Sequence, residues 1–434
     1  MRERITAFII LVLWASAALA GTYSGGSGEP NDPYRIATAE DLNDIGNHRE
    51  DWDKHFRLVG DISLAAYSDT QFNMIGERPG NKPFSGVFDG SGHTISKFRL
   101  KTPEDTSVSY IGLFRYVGSG GTVKNLRLEN AHIRIQGFRP DVGEIWGAWY
   151  VGCLVGQNGG TCSNCRVTGS IVHGVDSFDA CLAYHSYIGG LVGCNSRGVI
   201  SHCHTAISAE GIISVGGLVG ENRCGRISDS SATGSVIGRE CVGGLVGSNS
   251  NSLGGRIDKC TISNSFSTCS VNAAYRWCDL GYDVGGLLGW NSLCMVSNCY
   301  AIGPVSGYEN IGGLAGFNGG LVTNCYAAGN TNGQYEVGGL VGYGPGDVAD
   351  SFWDIQATSQ SSSKAGKRKT TSEMQRETTF TDAGWDFVEV WNIGENQTYP
   401  FLRTHPAGDI NHDDKVNFAD VAILAEHWLQ GTEP

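Results

Sequence analysis

This 434-residue chain is acidic, with 44 Asp and Glu against 31 Lys and Arg and a formal net charge of −13. Such a balance disfavours nucleic acid and anionic membrane surfaces as partners, and it is compatible with calcium and with uncharged or basic ligands. Glycine, at 63 residues, is about twice as common as in an average protein. These glycines lack the three-residue period of collagen, which excludes that class.

The first twenty residues have the pattern of an export signal. Arg2 and Arg4 supply the positive start, an apolar stretch covers 5–19, and Ala18-Leu19-Ala20 is a small-residue cleavage site. The stretch is short for a membrane span, and no second one follows. We predict a signal peptide at 1–20 and a secreted or surface-displayed product without an integral membrane span. Its net charge would be −14, from 29 basic and 43 acidic residues. A retained N-terminal anchor is the alternative.

One glycine-rich octet recurs along the chain. VGGLVGSN at 242–249 is repeated with small changes from 151, 188, 215, 284, 311 and 337, and a degenerate relative, IGLFRYVG, begins at 111. Copies follow one another at 27 residues, or close to it, wherever no insertion intervenes. A fixed period of this size indicates a repeat architecture.

One repeat unit predicts one coil of a solenoid. The unit VGGLVGENRCGRISDSSATGSVIGREC, from 215, holds three β-prone runs, around 218–219, 226–228 and 235–237, separated by Gly, Asn and Ser. Three short strands with turn residues at the corners are expected for a parallel β-helix. One coil alone buries too little apolar surface to offset the entropy of ordering its backbone, so only stacking stabilises it. The predicted fold is therefore an all-β solenoid.

The octet is interpreted as a corner and an inward apolar wedge, and not as a functional motif. Its glycines are expected where φ is positive and where neighbouring coils approach closely. The asparagine that closes each octet is expected to form a turn with a side-chain ladder. These residues are Asn158, Asn195, Asn222, Asn249, Asn291 and Asn318.

The 14 cysteines invite a disulfide interpretation in an exported protein. One repeat position, however, alternates between Cys and Ser: Cys165, Cys203, Ser230, Ser265, Cys299 and Cys325. This alternation favours a ladder of buried thiols in a tight inner corner, because parallel side chains make the disulfide dihedral awkward. Bridges between coils are the alternative. A bridge suits Cys181 and Cys278 better, since both lie in insertions.

The repeats resemble GLUG motifs, which occur in large secreted and surface proteins of bacteria, including adhesin-like chains and some immunoglobulin-cleaving metallopeptidases. Other segments resemble those that flank such arrays: PYRIATAEDLNDI (33–45), HFRLVGDISL (55–64), FSGVFDGSGHTI (84–95), SFWD (351–354), TTSEMQ (370–375), DAGWDF (382–387) and YPFL (399–402). The resemblance covers roughly residues 25–403 and implies a right-handed parallel β-helix, without implying a reaction. The chain has no HExxH, so metallopeptidase chemistry is not expected.

Both ends of the solenoid are expected to be covered, because an open strand edge invites aggregation. Residues 38–48 predict a short helix capped by Thr38, with Asp41 three residues on. At the other end QATSQSSSKAGKRKT, from 356, predicts a loop over the last coil, and Thr370-x-x-Glu373 predicts a capping box that starts a small helix. The predicted domains are 21–105 (N-terminal cap and opening coils), 106–353 (repeats), 354–403 (C-terminal cap) and 404–434 (a distinct tail).

The tail has the spacing of a calcium loop followed by a helix. DINHDDKVNFADVAILAEHWL places oxygen ligands at loop positions 1, 3, 5, 7, 9 and 12. The ligands are Asp409, Asn411, Asp413, Lys415 through its backbone carbonyl, Asn417 and Asp420. Calcium takes six to eight oxygens, so we predict Ca²⁺ as the cofactor. An acidic loop that only solubilises the tail is the alternative.

This half EF-hand resembles one repeat of a type I dockerin, the calcium-folded module that docks carbohydrate-active enzymes onto cohesin scaffolds. A dockerin has two such repeats and this chain has one; Asp414 also stands where the loop usually has glycine. The resemblance implies metal binding and, less directly, a cohesin-like or cell-surface partner. A calcium-locked C-terminal cap or a surface-retention tag is the rival assignment.

Three insertions, 138–150, 175–187 and 272–283, precede octets and are predicted to leave the solenoid at one edge. They combine aromatic rings that could stack on a glycan with carboxylates that could bind hydroxyls or act as an acid/base pair. The candidate ligand-binding residues are Trp146, Trp149, Tyr184, Tyr275, Trp277 and Asp279, with Asp141, Glu144, Asp176 and Asp179 as further carboxylates. Packing of the insertions onto the coils is the alternative role of these rings.

Three functions are compatible with these features. The first is a noncatalytic extracellular β-helix for binding, adhesion or scaffolding, attached through its calcium-binding tail. The second is a polysaccharide hydrolase or lyase. This alternative rests only on the association of such enzymes with β-helix folds and dockerin-like tails, and fold alone does not give function. The third is a purely structural surface protein. No catalytic residue is assigned, and His93 in DGSGHTI is interpreted as part of a structural turn.

Overall fold

The computed structural model describes residues 23–77, 81–101, 110–136, 149–174, 186–251, 260–273 and 281–403. These ranges contain β1 to β40, α1 to α3 and one 3-10 helix. The strands form sheets of 30, 8 and 2 strands, and the pairings within the two large sheets are parallel. The predicted parallel β-helix is therefore confirmed.

The N-terminal cap contains α1 (Ala39–Asn47), followed by the 3-10 helix Arg49–Asp51. Thr38 Oγ1 accepts the backbone N–H of Asp41 at 3.0 Å, and Asp41 Oδ2 accepts the backbone N–H of Thr38 at 3.1 Å. This reciprocal pair satisfies donors that the first turn of the helix leaves free. Leu42 and Ile45 are fully buried in the same core as the first strands. The predicted capped helix is confirmed.

Each full coil has four strands, whereas the sequence predicted three. In one coil these are β19 (Ile213–Gly216), β20 (Val219–Arg223), β21 (Arg226–Ser228) and β22 (Ser231–Ile237). The additional strand exists because Gly217-Leu218 breaks the octet into two strands. Each of these strands contributes one of the octet's valines to the core, and Leu218 between them is fully buried. We name the four strand positions A, B, C and D in chain order.

The strands at each position stack into ladders. Position A contains β7 (Tyr110–Ile111), β11 (Trp149–Gly152), β15 (Ser186–Gly189), β19, β23 (Glu240–Gly243), β27 (Tyr282–Gly285), β30 (Glu309–Gly312) and β34 (Tyr335–Gly338). Position B contains β8 (Phe114–Val117), β12 (Val155–Asn158), β16 (Val192–Ser196), β20, β24 (Val246–Ser250), β28 (Leu288–Ala301), β31 (Ala315–Thr323) and β35 (Val341–Tyr343).

Position C begins before the octets, with β1 (Tyr34–Ile36), β2 (His55–Leu58) and β4 (Val87–Asp89), and continues with β9 (Thr122–Lys124), β13 (Thr161–Ser163), β17 (Val199–Ser201), β21, β25 (Thr261–Ser267), β28, β31 and β36 (Asp347–Ala349). Position D contains β3 (Ile62–Ser63), β5 (Thr94–Ser96), β6 (Arg99–Lys101), β10 (Arg127–Gln136), β14 (Arg166–Gly174), β18 (His204–Glu210), β22, β25, β26 (Ser270–Asn272), β28, β29 (Val305–Ser306), β32 (Tyr326–Ala327), β33 (Thr331–Asn332), β37 (Phe352–Asp354) and β38 (Lys367–Lys369). Strands β25, β28 and β31 continue around corners and so occupy more than one position.

Asparagine amides connect the coils at the corner that follows position B. Nδ2 of Asn158 donates to Oδ1 of Asn195 at 2.8 Å, and the same bond joins each octet asparagine to the next as far as Asn318, at 2.8 to 2.9 Å. All six side chains are essentially fully buried. A buried amide is costly unless it is hydrogen-bonded, and this ladder provides the bonds. The predicted asparagine ladder is confirmed.

The Cys/Ser position is a second inner ladder. Ser230 Oγ donates to the Ser228 carbonyl at 2.6 Å, and Cys203 Sγ makes the equivalent contact with the Ser201 carbonyl at 3.3 Å. Both side chains therefore satisfy the same corner carbonyl, which explains why either residue suits the position. The twelve cysteines in the described ranges are free thiols, as the ladder interpretation predicted, whereas Cys181 and Cys278 lie outside those ranges.

The glycines at the second, third and sixth octet positions allow close approach of strands and do not supply positive φ angles. A Cβ on Gly216 would lie 2.1 Å from the Val219 carbonyl oxygen and 2.7 Å from the Gly247 nitrogen, and the φ of Gly216 is not positive. Corner residues with positive φ are mostly asparagine and aspartate, such as Asn164 and Asp229 at 51°. Their short polar side chains tolerate the left-handed conformation. The positive-φ part of the prediction was therefore wrong for the second, third and sixth octet positions and holds for Gly344, which closes the last octet with a φ of 122°. The close-approach part is confirmed.

The C-terminal cap packs on the outside of position D. Phe266, Tyr300 and Tyr326 stack there with ring centroids 4.8 and 5.0 Å apart, close to the normal strand spacing. The cap contributes α2 (Thr371–Met374), α3 (Glu377–Thr381), β39 (Trp391–Asn392) and β40 (Phe401–Leu402). Trp391 is fully buried in this second core. The capping box of Thr370 and Glu373 is present as predicted. The predicted loop from 356 is only partly a loop, because β38 pairs with β37 and extends the sheet.

Candidate functional site: a crease between positions A and B

Positions A and B meet back to back on the outside of the solenoid. A Cβ on Gly220 would lie 2.5 Å from the backbone nitrogen of Ile188, and one on Gly247 would lie 2.6 Å from that of Val215. Backbones therefore touch without side chains between them. The valines of both strands point into the core. The glycine faces of the two strands are therefore buried against each other. We use the name crease for the line along this contact where the residues that flank the glycines approach the surface.

The crease is lined by the residue that precedes each octet and by the seventh residue of the octet. The former are Tyr150, Tyr187, Ser214, Cys241, Asp283, Asn310 and Glu336; the latter are Gln157, Cys194, Glu221, Ser248, Trp290, Phe317 and Tyr343. The Val, Gly, Leu and Asn positions are nearly constant and build the scaffold. The chemistry that differs between coils is thus aligned along this one surface. The interpretation of the octet as structural rests on its constant scaffold positions, whereas its seventh residue varies from coil to coil.

An ion pair occupies the first half of the crease. The carboxylate of Glu221, whose side chain is 8% exposed, accepts hydrogen bonds from Arg223 Nε at 3.2 Å and Ser250 Oγ at 3.3 Å. Cys194 Sγ lies 3.7 Å from the same carboxylate. Such charge-assisted bonds stabilise a carboxylate that burial would otherwise disfavour. Glu221 is therefore buried in contact with Arg223.

Tyrosines form the facing wall beside this ion pair. The rings of Tyr110 and Tyr150 are 5.1 Å apart and those of Tyr150 and Tyr187 are 4.9 Å apart, both nearly parallel. Burial raises the pKa of Tyr150, and Arg223 opposes that shift through its charge and a hydrogen bond. The guanidinium therefore connects the two walls.

A second carboxyl group lies farther along the crease and has a different environment. Asp283 is 4% exposed, and Asn310 Nδ2 donates to its Oδ1 at 2.9 Å. Burial raises the pKa of Asp283 to about 6, although the bond from Asn310 opposes the shift. Burial, together with the charges of Asp283 and Glu240, also raises the pKa of the Cys241 thiol. Asp283 is therefore a carboxyl group that can exchange a proton near neutral pH.

The last third of the crease is aromatic. Trp290 and Phe317 stack with centroids 3.9 Å apart and an interplanar angle of 9°, so their faces cover each other and their edges are directed outward. Tyr343 is tilted by 47° from Phe317, is 44% exposed, and has Lys364 Nζ 5.3 Å from its ring centroid. The crease thus changes along its length from paired charge, through a protonatable acid, to an apolar strip.

The structure places few of the sequence-predicted site residues. Trp149 begins β11, pairs in register with Ser186 and packs partly buried against the core. Trp146, Tyr184, Tyr275, Trp277 and Asp279 lie outside the described ranges, as do Asp409, Asn411, Asp413, Lys415, Asn417 and Asp420. The last residues of the three predicted insertions belong to position A strands, which begin at Trp149, Ser186 and Tyr282, while most of each insertion lies outside the described ranges. Sequence reasoning missed the crease; the variable seventh residue was the available signal.

Two findings limit what the described residues can do. No group of three or more His, Cys, Asp or Glu side chains in the described ranges is arranged to hold a metal ion. Among the residues for which the structure gives a placement, no helix is long and apolar enough to cross a membrane.

Comparisons with known proteins agree with the repeat pattern. The family model of the GLUG motif matches residues 211–237, one whole coil. The chain is 35% identical over 467 aligned residues to a "Putative Gly-rich membrane protein" of Evansella cellulosilytica, covering 94% of this chain and 49% of that protein. It is 31% identical over 194 residues to halomucin of Haloquadratum walsbyi, covering 44% of this chain and 2% of that protein.

One solved structure is also similar. It is a putative immunoglobulin A1 protease from Bacteroides ovatus, with 18% identity, a TM-score of 0.49, and coverage of 89% of this chain and 96% of that one. The chain spans about half the length of the Gly-rich relative and a small fraction of halomucin. The chain is a β-helix that contains the GLUG motif and is similar to a protein named as a Gly-rich membrane protein and, over part of its length, to halomucin.

Proposed function

We propose that this chain is a secreted or surface-displayed, noncatalytic β-helix that binds an extracellular ligand through the crease. The observation that supports this proposal is the alignment of variable side chains along one surface while the scaffold positions stay constant. Repeat proteins bind extended partners through such surfaces, because each coil presents one further side chain at a fixed spacing. An extended polymer, such as a glycan, is a partner of suitable shape.

An extracellular location is supported by two features. Residues 1–20 have the pattern of an export signal. The relatives are named a membrane protein and halomucin, both names that refer to the cell envelope or its surroundings. The predicted calcium-binding tail, with Asp409 and Asp413 among its ligands, would attach the solenoid to a cohesin-like or other surface partner.

Binding to immobilised extracellular polysaccharides tests the role of the crease. Purified chain lacking residues 1–20 is applied to a glycan array, and retained ligands are remeasured with Tyr343→Ala and Trp290→Ala. We expect each substitution to weaken binding about tenfold, as loss of a contact worth about 1.4 kcal/mol would. Val199→Ala, which changes an exposed apolar side chain on position C, is the matched control. Retention that is equal in all four proteins would contradict a role for the crease.

A polysaccharide hydrolase or lyase is the second candidate, and Asp283 is the observation that favours it. A carboxyl group with a raised pKa is suited to donate a proton to a leaving group, and Asp283 is such a group beside the crease. Release of reducing sugar from a polysaccharide panel, abolished in Asp283→Asn, would support this function. Retained ligand without turnover would support the noncatalytic one.

A further inference from the structure

The opening coils contain a cationic cavity in an otherwise acidic chain. It has a volume of about 350 Å³ and lies on the outer face of position C, away from the octets. Its polar lining comes from Asn31, Asp32, Arg35, Arg57, Ser91 and His93, and its apolar lining from Pro33, Leu58 and Val59.

Two arginines in this cavity are direct cross-strand neighbours. Arg35 on β1 pairs in register with Arg57 on β2, and both are exposed on the same face. Like charges at directly opposed positions of neighbouring strands repel each other and destabilise the pair. In the described residues the polar contact of the Arg57 side chain is a long bond from Nε to Ser91 Oγ, at 3.3 Å. Its terminal nitrogens are therefore available.

The carboxylates nearby do not neutralise this pair. Asp32 Oδ1 is 3.8 Å from Arg35 Nη2, and both side chains are more than half exposed, so the contact is weak. Asp89, the register neighbour of Arg57 on the next strand, accepts from the Ser91 backbone at 2.8 Å and from Asn125 at 3.1 Å, and it pairs with Lys124 at 3.7 Å. Asp61 lies 3.4 Å from His93 Nδ1 and accepts the Thr94 N–H at 2.8 Å.

We infer that this cavity is an oxyanion-binding site, and that its ligand is the carboxylate of an acidic sugar. Arg35 and Arg57 stand on adjacent strands, and each guanidinium has a fork of N–H donors that suits the two oxygens of a carboxylate. Val59, 46% exposed, and Pro33 provide an apolar surface against which a sugar ring can pack its C–H face. Free phosphate or sulfate shares the oxyanion chemistry without that apolar contact. The site is separate from the crease and does not depend on the proposed function.

Calorimetric titration of the full chain distinguishes the sources of the oxyanion. The probes are a short oligogalacturonate, a neutral cello-oligosaccharide of equal length, inorganic phosphate and inorganic sulfate. We expect the oligogalacturonate to bind and the neutral oligosaccharide not to bind. Arg57→Gln should weaken oligogalacturonate binding about tenfold or more, because one arm of the paired donors is lost. Arg226→Gln, an exposed arginine farther along position C, should leave binding within about twofold.

A second readout separates loss of binding from loss of folding. Arg57→Gln removes one of two repelling charges, so its melting temperature without ligand should not be lower than that of the unsubstituted chain. The ligand should raise the melting temperature of the unsubstituted chain but not that of Arg57→Gln. If phosphate or sulfate binds and Arg57→Gln abolishes that binding, while oligogalacturonate does not bind, the oxyanion site stands and the assignment of an acidic sugar as its ligand is overturned. No binding of any anion at millimolar concentration, or equal binding by Arg57→Gln, would overturn the site itself.

Discussion

Nδ2 of Asn222 donates to Oδ1 of Asn249 at 2.8 Å, and both side chains are fully buried. Asn222 Oδ1 in turn accepts from Asn195 Nδ2 at 2.8 Å, so the amide of Asn222 is hydrogen-bonded to the asparagines of both neighbouring coils. Because neither amide has access to water, the bond between them is required and not optional.

Replacing Asn222 by alanine should destabilise the protein by about 2 to 4 kcal/mol, because a buried donor on one coil and a buried acceptor on the next both lose a partner. Urea denaturation followed by circular dichroism measures the change. Asn332→Ala is the control, since Asn332 is an exposed asparagine on a strand and its loss should change stability by less than about 0.5 kcal/mol. Equal midpoints for the two variants would show that the ladder contributes nothing.

The glycine at the second position of the octet should not tolerate a methyl group. In Gly216→Ala the new Cβ would lie 2.1 Å from the Val219 carbonyl oxygen, a backbone atom that cannot rotate away. We expect a loss of about 2 kcal/mol or more, as overpacking produces. Gly60→Ala is the comparison, because a Cβ there meets nothing within 4 Å. Thermal melting of the two variants measures the difference, and a melting temperature of Gly216→Ala close to that of Gly60→Ala would contradict the steric requirement.

Asp283 should make the protein less stable as pH rises. Its folded-state pKa, about 6, lies above the ordinary value of 3.8, so the folded state holds the proton more tightly than the unfolded state. This contribution is present in full below pH 4 and is lost as pH rises through about 6. At about 1.4 kcal/mol for each unit of pKa difference, the loss amounts to about 3 kcal/mol.

Asp283→Asn isolates this effect, because asparagine keeps an acceptor for Asn310 and cannot ionise. The difference in unfolding free energy between the variant and the unsubstituted chain should increase in favour of the variant from pH 4 to pH 7. Denaturation at several pH values gives that difference, with pH 4 as the internal reference. A constant difference would mean that burial does not shift this carboxyl group.

The inner thiols should be unreactive in the folded protein. Burial raises the pKa of Cys153 to about 12 and also raises that of Cys203, so the reactive thiolate is scarce and enclosed. We expect iodoacetamide at pH 8 to leave both unmodified until urea unfolds the chain, as mass spectrometry of peptides would show. Cys203→Ser should remain folded, because Ser230 already makes the same corner bond in the next coil. Rapid labelling of Cys153 or Cys203 in the native protein would contradict the burial of these thiols.

The tail should bind one calcium ion. Titration of the full chain with Ca²⁺ should give a saturable heat, and Asp409→Asn with Asp413→Asn should remove most of it, because two carboxylate ligands at loop positions 1 and 5 lose their charge. Asp347→Asn, an exposed aspartate on the solenoid, serves as the control. An unchanged titration in the double variant would disprove the assignment of these ligands.

The sequence predicted those features of the fold that depend on residue type at a fixed spacing. The asparagine ladder, the Cys/Ser corner and the helix that Thr38 caps were all predicted, because each depends on residue type at a fixed spacing. The fourth strand was not predicted, since the break at Gly217-Leu218 is a consequence of backbone contact with neighbouring coils. The same holds for the octet glycines, whose role depends on atoms far away in sequence.

The candidate surfaces were harder to predict for a related reason. Glu221 and Tyr150 belong to different coils, and only the back-to-back approach of positions A and B brings their walls together. Arg35 and Arg57 lie before the regular repeats, where no period relates one residue to another. The sequence prediction considered the aromatic insertions and therefore missed both the crease and the arginine cavity. The variable seventh residue of the octet was nevertheless visible in the sequence.

The asparagine ladder has a defined first and last member. Val117 is the register partner of Asn158 on one side, and on the other side Gly344 stands where the next asparagine would be. Asn318 therefore has no asparagine side chain to donate to, and its Nδ2 keeps the two carbonyl contacts, to Gly320 and Asp347, whose equivalents Asn158 also makes. Between these two ends the joints are chemically interchangeable. Duplicating or deleting whole repeat units between the same two terminal coils should therefore lengthen or shorten the solenoid without changing the asparagine bonds that connect its coils.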